Sequence, residues 1–278
     1  MKIITKISEM QKWAIAHRKG GTGFVPTMGA LHEGHLSLVR EARKENKNVV
    51  VSIFVNPAQF GPKEDLKNYP RTFSQDKKLL AAEKTDVIFF PSVKEMYPDG
   101  FQTEVRVRKL ARGLCGKFRP LHFAGVTTVV SKLFNAILPA RAYFGAKDYQ
   151  QAMVVKRMAR DLNFPVEIRV LPTVREKDGL AMSSRNAYIN RMDRIKAPLI
   201  NLSLEFAEGL VKSGVRDALK LKSGIRNFLR PFVDKIDYIE VVDPENLEEL
   251  RKIRRIGLLA IACYIGRTRL IDNRLVRV

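Results

Sequence analysis

The stretch Val25-Pro26-Thr27-Met28-Gly29-Ala30-Leu31-His32-Glu33-Gly34-His35-Leu36 decides how this chain is understood, because it joins a predicted strand to a predicted helix. Apolar residues recur at helical spacing from Leu36 onward, so His35 falls in the first helical turn. Unpaired backbone N–H groups and the positive end of the helix dipole attract anions there. Two of the four histidines lie in this stretch, on either side of Gly34, which predicts a nucleotide-phosphate site. The alternative is a helix start that carries two histidines by chance.

Apolar runs alternate with helical patterns over residues 1–174. Strands are predicted near 22–26, 49–55, 86–90, 141–144 and 166–171. Helices are predicted near 8–18, with Ser8 as its cap, and near 35–44, 73–84, 126–138 and 149–162. This alternation predicts an α/β fold with a doubly wound, mostly parallel, Rossmann-like sheet. Ligands bind at the carboxyl ends of the strands in such sheets, and segments 26–35, 56–61 and 145–151 each follow a strand.

Residues 175–278 show a different pattern and predict a smaller α+β lid domain. Two helices are expected near 193–211 and 215–232, followed by strands near 236–242, 256–265 and 270–278. The segment 174–186 is polar and contains glycine, unlike a core element. We therefore predict a hinge at Lys177-Asp178-Gly179 and a ligand-facing loop after it.

Composition and charge limit the class of protein. Cys115 and Cys263 lie far apart and form no metal-ligand pattern, which favours a reduced cytoplasm. No apolar run approaches the ~18 residues that a membrane span requires, so a soluble protein without membrane association is expected. The formal charge of +21 is spread over both parts of the chain. A dispersed positive surface attracts ATP as well as nucleic acid, and an RNA- or DNA-binding module is the less favoured alternative.

Polar side chains follow two further predicted strands. Asn56 and Gln59 should emerge at the same sheet edge as the histidines, where uncharged amides suit a hydroxyl and a carboxylate; an ordinary Asn-Pro turn is the alternative. Lys147 stands at a helix entrance as a point charge for phosphate, with Asp148 as the possible cap. Gln151 follows one turn later and should lie near the same crevice.

Two more polar segments carry candidate anion ligands. Met182-Ser183-Ser184-Arg185 offers two hydroxyls and a guanidinium. Arg119 and His122 could also face an anion, although a structural hydrogen bond is the other interpretation of His122. The chain contains no Gly-x-Ser-x-Gly, Walker A or His-Glu-x-x-His motif. These residues suggest a site that binds a nucleoside triphosphate and positions a small polar acid, without covalent enzyme catalysis.

Five motifs together extend over nearly the whole chain in a fixed order: HEGH (32–35), VNPAQFGPKEDLKNYPRT (55–72), HFAGVTTVV (122–130), YFGAKDYQQ (143–151) and REKDGLAMSSRN (175–186). In these motifs the chain resembles the pantoate:beta-alanine ligases, which are similar to the wider group of HxGH nucleotidylyltransferases and class I aminoacyl-tRNA synthetases. Leu121 departs from the pattern, since a small residue is expected there, and this leaves the path of that loop open.

The resemblance implies roles for particular residues. ATP would contact Met28, Gly29, Ala30, Leu31, His32, Glu33, Gly34, His35, Gly145, Ala146, Lys147, Asp148, Val174, Met182, Ser183, Ser184 and Arg185. Charge at phosphorus would be stabilised by His32, His35, Lys147, Ser183, Ser184 and Arg185, with His35 as the proton donor. Gln59 and Gln151 would hold pantoate, and Gln59 would also lie near beta-alanine. Mg²⁺ would be held mainly by the ATP phosphates, and the family resemblance implies a homodimer.

The implied reaction has two steps, formation of a pantoyl adenylate with release of pyrophosphate and attack on it by beta-alanine with release of AMP. A nucleotidylyltransferase that acts on another acid or phosphate is the alternative enzyme, because only Gln59, Gln151 and their neighbours would select the acid.

Overall fold

The computed structural model describes residues 1–62 and 64–278, and these form two compact units. Unit 1 comprises Met1–Ala111, Arg119–Ala146 and Gln151–Pro172. Unit 2 comprises Arg112–Phe118, Lys147–Gln150 and Thr173–Val278. Two short segments from within the first 174 residues therefore belong with the second unit.

Unit 1 contains, within its described residues, a parallel sheet of the strands β1 (Lys2–Ile4), β2 (Thr22–Thr27), β3 (Asn48–Ile53), β4 (Val87–Phe89), β5 (Arg141–Gly145) and β6 (Glu167–Leu171). Their order in the sheet is β1-β4-β3-β2-β5-β6. From β2 the chain adds β3 and β4 on one side, and later β5 and β6 on the other. The order thus reverses between β2 and β5, which is where doubly wound sheets open a crevice at their carboxyl ends.

Helices cover both faces of this sheet. They are α1 (Ile7–Ala16), α2 (Glu33–Glu45), α3 (Phe73–Ala82), α4 (Val93–Met96), α6 (His122–Ile137) and α7 (Tyr149–Asp161). The short helix α5 (Leu114–Phe118) belongs to unit 2. Consecutive residues of β2 pack into different hydrophobic clusters. Phe24 packs with residues of α1, α6 and α7, and Val25 packs with residues of α2 and α3. The predicted doubly wound α/β fold is confirmed. Among the described residues, every helix is too short or too polar to span a bilayer.

Three local predictions for unit 1 are wrong in detail. Helix α1 begins at Ile7, so Ser8 lies inside it; the N–H of Ile7 is satisfied at 2.8 Å by the carboxylate of Glu95, which is distant in sequence. Strand β1 is not predicted from the sequence, because its three residues are too few to show the alternating pattern of a strand. Helix α6 begins at His122, four residues earlier than predicted, and all but two of its residues are buried.

Unit 2 contains, in its described residues, an antiparallel sheet of the strands β7 (Lys235–Val242), β8 (Ile256–Ile265) and β9 (Thr268–Arg277), in the order β7-β8-β9. Its later helices are α8 (Arg191–Lys196), α9 (Leu199–Lys212) and α10 (Ala218–Leu229). The single helix predicted over 193–211 is interrupted at Pro198, which lacks the N–H a continuous helix requires. Helix α10 starts at Ala218, later than predicted, because Asp217 caps it by accepting from the N–H of Lys220 at 2.9 Å.

Candidate active site

The chain leaves β2 through a tight turn that a buried carboxylate holds. Gly29 and Ala30 both have left-handed backbone conformations, with φ of 84° and 50°. Asp76, on α3 and only 1 % exposed, accepts hydrogen bonds from the N–H of Ala30 at 3.0 Å and of Leu31 at 2.9 Å. Its two oxygens thus fix a conformation that alanine rarely adopts. The sequence gives little sign of this role, because Asp76 is a single acidic residue within a helix.

His32 and His35 form the cap of helix α2. The Nδ1 of His32 accepts from the N–H of Gly34 at 3.2 Å, and the Nδ1 of His35 accepts from the N–H of His32 at 3.4 Å. The two ring centroids are 4.1 Å apart. A ring nitrogen that accepts a hydrogen bond carries no proton, so each neutral imidazole carries its proton on Nε2. Both rings are therefore hydrogen-bond donors through Nε2.

Backbone amides contribute less to anion binding at this turn than the sequence predicts. The amides of Ala30 and Leu31 donate to Asp76, that of Gly34 donates to His32, and that of His35 donates to the carbonyl of His32 at 2.8 Å. The expectation of unpaired amides in the first helical turn is wrong for Gly34 and His35, because the helix cap satisfies them internally. Recognition of phosphate here would depend on the imidazoles and the helix dipole.

Glu33 places a negative charge between the two histidines, and Arg40 compensates it. Arg40, two turns along α2, donates to Glu33 and also to Glu83 of the α3–β4 connection. The hydrogen bond from Arg40 lowers the pKa of Glu33 despite some opposing desolvation. The ion pair offsets the repulsion that the carboxylate would exert on a bound polyphosphate.

Gln59 lies beside the turn after β2. It ends the 3₁₀ turn Pro57–Gln59, is 8 % exposed, and places its Nε2 3.0 Å from the sulfur of Met28. The structure thus brings Gln59 and the Met28–His35 segment together in unit 1. Gly125 of α6 permits this arrangement, since a Cβ at that position would lie 2.3 Å from the carbonyl oxygen of Ala58.

Arg119 and His122 hold the backbone of Gln59. The carbonyl oxygen of Gln59 lies 3.0 Å from Nδ1 of His122 and accepts from Arg119 at 3.3 Å. Arg119 also makes a bidentate ion pair with Glu64, at 2.5 and 2.8 Å. An anion-facing role for both side chains is not supported, because these contacts direct them to Gln59 and Glu64. Leu121 is 53 % exposed and has a right-handed helical backbone, so its side chain is accommodated without strain.

The chain leaves β5 through a 3₁₀ turn over Ala146–Asp148 that runs directly into α7. Gly145, the last residue of β5, and Ala146 belong to unit 1, as does Gln151, which is half-buried in the first turn of α7. Lys147 and Asp148 belong to unit 2. Helix α7 starts at Tyr149 as predicted, but a 3₁₀ turn precedes it, so Asp148 lies inside that turn.

The remaining predicted ATP ligands lie in a hairpin of unit 2. Arg175 and Ala181 form a β-bridge, and the N–H of Met182 donates to the carbonyl of Val174 at 3.0 Å. Ser183 then caps the 3₁₀ turn Ser184–Tyr188, its hydroxyl accepting from the N–H of Arg185 at 3.2 Å. These bonds give the Met182–Arg185 segment a defined backbone path.

Charged contacts brace the same hairpin. Glu176 accepts from Asn186 at 2.7 Å and from Arg194 at 2.6 Å, while Arg175 forms a bidentate pair with the buried Asp272 at 2.7 and 3.0 Å. The N–H of Gly179 closes the turn by donating to the carbonyl of Glu176 at 2.9 Å. The turn predicted as a hinge is thus internally hydrogen-bonded and tied to α8 and β9.

A doubly wound parallel sheet with a His-x-Gly-His turn after its central strand is typical of nucleotide-binding α/β proteins. The chain matches the Pantoate-beta-alanine ligase family over residues 2–275, and it belongs to that family of enzymes.

Relatives of known name support this assignment over full length. The pantothenate synthetase of Thermotoga neapolitana is 55 % identical over 99 % of this chain and 100 % of its own. The crystal structure of pantothenate synthetase from Thermus thermophilus is 45 % identical, covers 99 % of both chains and superposes with a TM-score of 0.94. The pantoate-beta-alanine ligase of Francisella tularensis, solved in complex with beta-gamma ATP and beta-alanine, is 37 % identical, with a TM-score of 0.80 over 99 % of this chain and 97 % of its own.

Proposed function

We propose that this enzyme joins pantoate to beta-alanine at the expense of ATP, through a pantoyl-adenylate intermediate. The observation that carries this proposal is that Nδ1 of His32 and Nδ1 of His35 both accept from backbone N–H groups after β2, in a chain of the pantoate-beta-alanine ligase family. The proton of each neutral ring is then on Nε2, which can donate to phosphate. The Francisella relative, which holds an ATP species and beta-alanine together, supports the same substrates here.

The chemistry requires two displacements. A carboxylate oxygen of pantoate attacks the α-phosphorus of ATP, and the bond from that phosphorus to the bridging oxygen of pyrophosphate breaks. The amine of beta-alanine then attacks the acyl carbon of the adenylate, the bond to AMP breaks, and the nitrogen loses a proton as the amide forms. Neither step needs an enzyme nucleophile, so catalysis rests on in-line positioning and on stabilisation of charge at phosphorus.

The proposed roles are those that the family resemblance implies. His32, His35, Lys147, Ser183, Ser184 and Arg185 stabilise the phosphate charge, and His35 is the proton donor. ATP is bound by residues 28–35, 145–148, 174 and 182–185. The neutral amides of Gln59 and Gln151 bind pantoate, with Gln59 also near beta-alanine.

Mg²⁺ is proposed to arrive with ATP, because this ion keeps several waters and favours substrate phosphates over an all-protein cage. The described residues contain no group of three or more His, Cys, Asp or Glu placed to hold a metal ion. We further propose a cytoplasmic homodimer, on the basis of family membership.

One assay tests the proposed reaction: formation of AMP and pyrophosphate from ATP, with pantoate, beta-alanine, both or neither. We expect AMP at multiple turnovers only with both, and a single-turnover burst of pyrophosphate with pantoate alone. Pyrophosphate release with a panel of other carboxylic acids but not with pantoate would favour the alternative, an adenylyltransferase for another acid.

A further inference from the structure

Tyr97 is connected to the side chain of Gln59 through Asn56, although it belongs to none of the motifs that predict the site. Its hydroxyl donates to Oδ1 of Asn56 at 2.8 Å, and Nδ2 of Asn56 donates to Oε1 of Gln59 at 3.1 Å. The Tyr97 ring is half-buried between Phe54 and Phe101, with ring centroids 6.3 and 5.1 Å away. Three side chains are thus joined by two hydrogen bonds that run in one direction.

Backbone groups fix that direction. The N–H of Ala58 can only donate, and it donates to Oδ1 of Asn56 at 3.3 Å; the carbonyl of Gly125 can only accept, and it accepts from Nδ2 at 3.0 Å. The amide of Asn56 therefore has one orientation, and its nitrogen must face Oε1 of Gln59. Because the Ala58 contact is long, the shorter bond from Tyr97 is the stronger restraint on Oδ1.

The state of the Tyr97 hydroxyl suits this task. Burial raises the pKa of Tyr97 to about 12, although its hydrogen bond to Asn56 opposes the shift. The phenol therefore stays protonated at neutral pH and remains a donor.

We infer that Tyr97 is a positioning residue that, through Asn56, holds Gln59 as a hydrogen-bond donor toward the acid substrate. With Oε1 engaged by Asn56, the side chain of Gln59 has its Nε2–H groups to offer, and these lie on the side of Met28. A donor at this position selects substrates that bring an acceptor oxygen, such as a carboxylate or hydroxyl, and leaves an unpaired polar group when that oxygen is missing. The inference rests on the proposed binding of pantoate by Gln59.

The test compares steady-state constants for pantoate and ATP in five proteins: wild type, Gln59→Ala, Tyr97→Phe, the double variant, and the control Tyr143→Phe. Tyr143 is fully buried in the same unit and donates to Glu45 at 2.7 Å, so its variant also loses a buried tyrosine hydroxyl. Loss of one restraining hydrogen bond in Tyr97→Phe should raise KM for pantoate about 3- to 10-fold and leave KM for ATP within about twofold. The control should leave both unchanged.

The double variant separates positioning from a general loss of stability. If Tyr97 acts through Gln59, then Tyr97→Phe adds nothing to KM for pantoate once Gln59 is alanine. Three results would overturn the inference: an unchanged KM for pantoate in Tyr97→Phe, a rise of KM for ATP equal to that for pantoate, or an additive effect in the double variant. A raised KM for pantoate in Gln59→Ala would still support the proposed substrate role in each of these cases. A normal KM for pantoate in Gln59→Ala would instead refute that substrate role and the inference with it.

A second variant covers the case in which Tyr97→Phe does not fold. Asn56→Asp keeps the acceptor for Tyr97 and replaces the donor to Gln59 with an oxygen. It should raise KM for pantoate more than about 10-fold, again without a matching change for ATP. Equal effects on both substrates would count against the inference.

Discussion

At the scale of single residues, His32 caps helix α2 with one ring nitrogen and, in the proposed mechanism, donates to phosphate with the other. Its Nδ1 caps helix α2 by accepting from Gly34, which leaves the proton on Nε2. The same division holds for His35, whose Nδ1 accepts from the N–H of His32. Substitutions that keep the acceptor of the cap and remove the Nε2 donor can therefore separate folding from chemistry.

His32→Asn makes that separation. Asparagine is a good N-cap residue, so stability should stay close to wild type, whereas His32→Ala should lose about 1 kcal/mol. Both variants, and His35→Ala, should slow single-turnover adenylate formation by roughly 10² to 10³, the usual effect of removing one preorganised donor. His17→Ala is the control, because His17 is exposed at the end of α1. Near wild-type adenylation by His32→Asn would show that the imidazole donor is unnecessary.

The Glu64–Arg119 pair should make stability depend on pH. Burial tends to raise the pKa of Glu64, but the hydrogen bond and charge of Arg119 outweigh it and the net pKa is lowered. A lowered folded pKa contributes stability above the unfolded value of about 4.3 and loses it as the pH falls through the folded value. The wild type should thus exceed Glu64→Gln in free energy of unfolding at pH 7, and urea titrations should show the gap closing below about pH 4. A gap that is constant over this range would contradict the assignment.

At the scale of elements, helix α6 fits closely against the 3₁₀ turn that carries Gln59. Gly125 is the point of closest approach, since its missing side chain leaves room for the backbone of Ala58 and Gln59. A Cβ at residue 125 would meet backbone atoms of that turn, and these cannot move aside as the end of a flexible side chain can. The geometry of the proposed pantoate site therefore depends on one glycine in the first turn of a helix.

Gly125→Ala should destabilise the protein by about 1–3 kcal/mol, through overpacking against backbone, and should raise KM for pantoate. Gly209→Ala is the matched control, because Gly209 lies within α9 and a Cβ added there would meet no other atom within 4 Å. Alanine there should stabilise the helix by about 0.5–1 kcal/mol. Thermal unfolding of both variants measures the contrast; equal stability changes would show that the contact at Gly125 can relax.

The hairpin of unit 2 gives a different expectation. Because Glu176, Arg175 and their partners already fix its turn, binding of ATP should add little order there, in contrast to a hinge that closes on the triphosphate. Hydrogen exchange over residues 174–190 should change less than about threefold on addition of a nonhydrolysable ATP analogue. Strong new protection of the whole segment would show that it orders on binding.

Arg185 should still be needed for chemistry. Arg185→Ala should impair pyrophosphate release more than pantoate binding, because a phosphate contact that strengthens at the transition state appears mainly in the chemical step. Arg230→Ala, at the exposed end of α10, is the control and should behave as wild type. Normal turnover by Arg185→Ala would leave the phosphate role without support.

The sequence predicts elements better than it predicts the contacts that join them. The alternating apolar runs suffice for the doubly wound sheet, because both of its faces are buried and each strand repeats the pattern. Two of these contacts come from residues distant in sequence: Glu95 caps α1, and Asp76 holds Ala30 and Leu31. No local pattern marks such a residue, since its partner is chosen only when the sheet has formed.

At the scale of the whole molecule, the formal charge of +21 should influence how ATP reaches the enzyme. A positive surface accelerates encounter with a polyanion, and salt screens this attraction. Raising NaCl from about 20 mM to about 300 mM should lower kcat/KM for ATP roughly 3- to 10-fold. The value for beta-alanine, a zwitterion, should change much less. Equal salt effects on both substrates would indicate a general effect on the protein.

The two short segments of unit 2 that come from early in the chain limit how this gene can be dissected. Gln150 bonds to the backbone of Gly113 and Cys115 at 2.8 and 2.9 Å, and Asn273 bonds to the carbonyl of Lys147 at 2.9 Å. A gene fragment that starts near residue 173 encodes Asn273 but lacks its partner Lys147. A fragment that ends near residue 173 encodes residues 147–150 but lacks strand β9, which carries Asn273. Split-protein reporters or domain exchanges between relatives should therefore not cut at the apparent boundary, and crossover points need to keep 112–118, 147–150 and 173–278 from one parent.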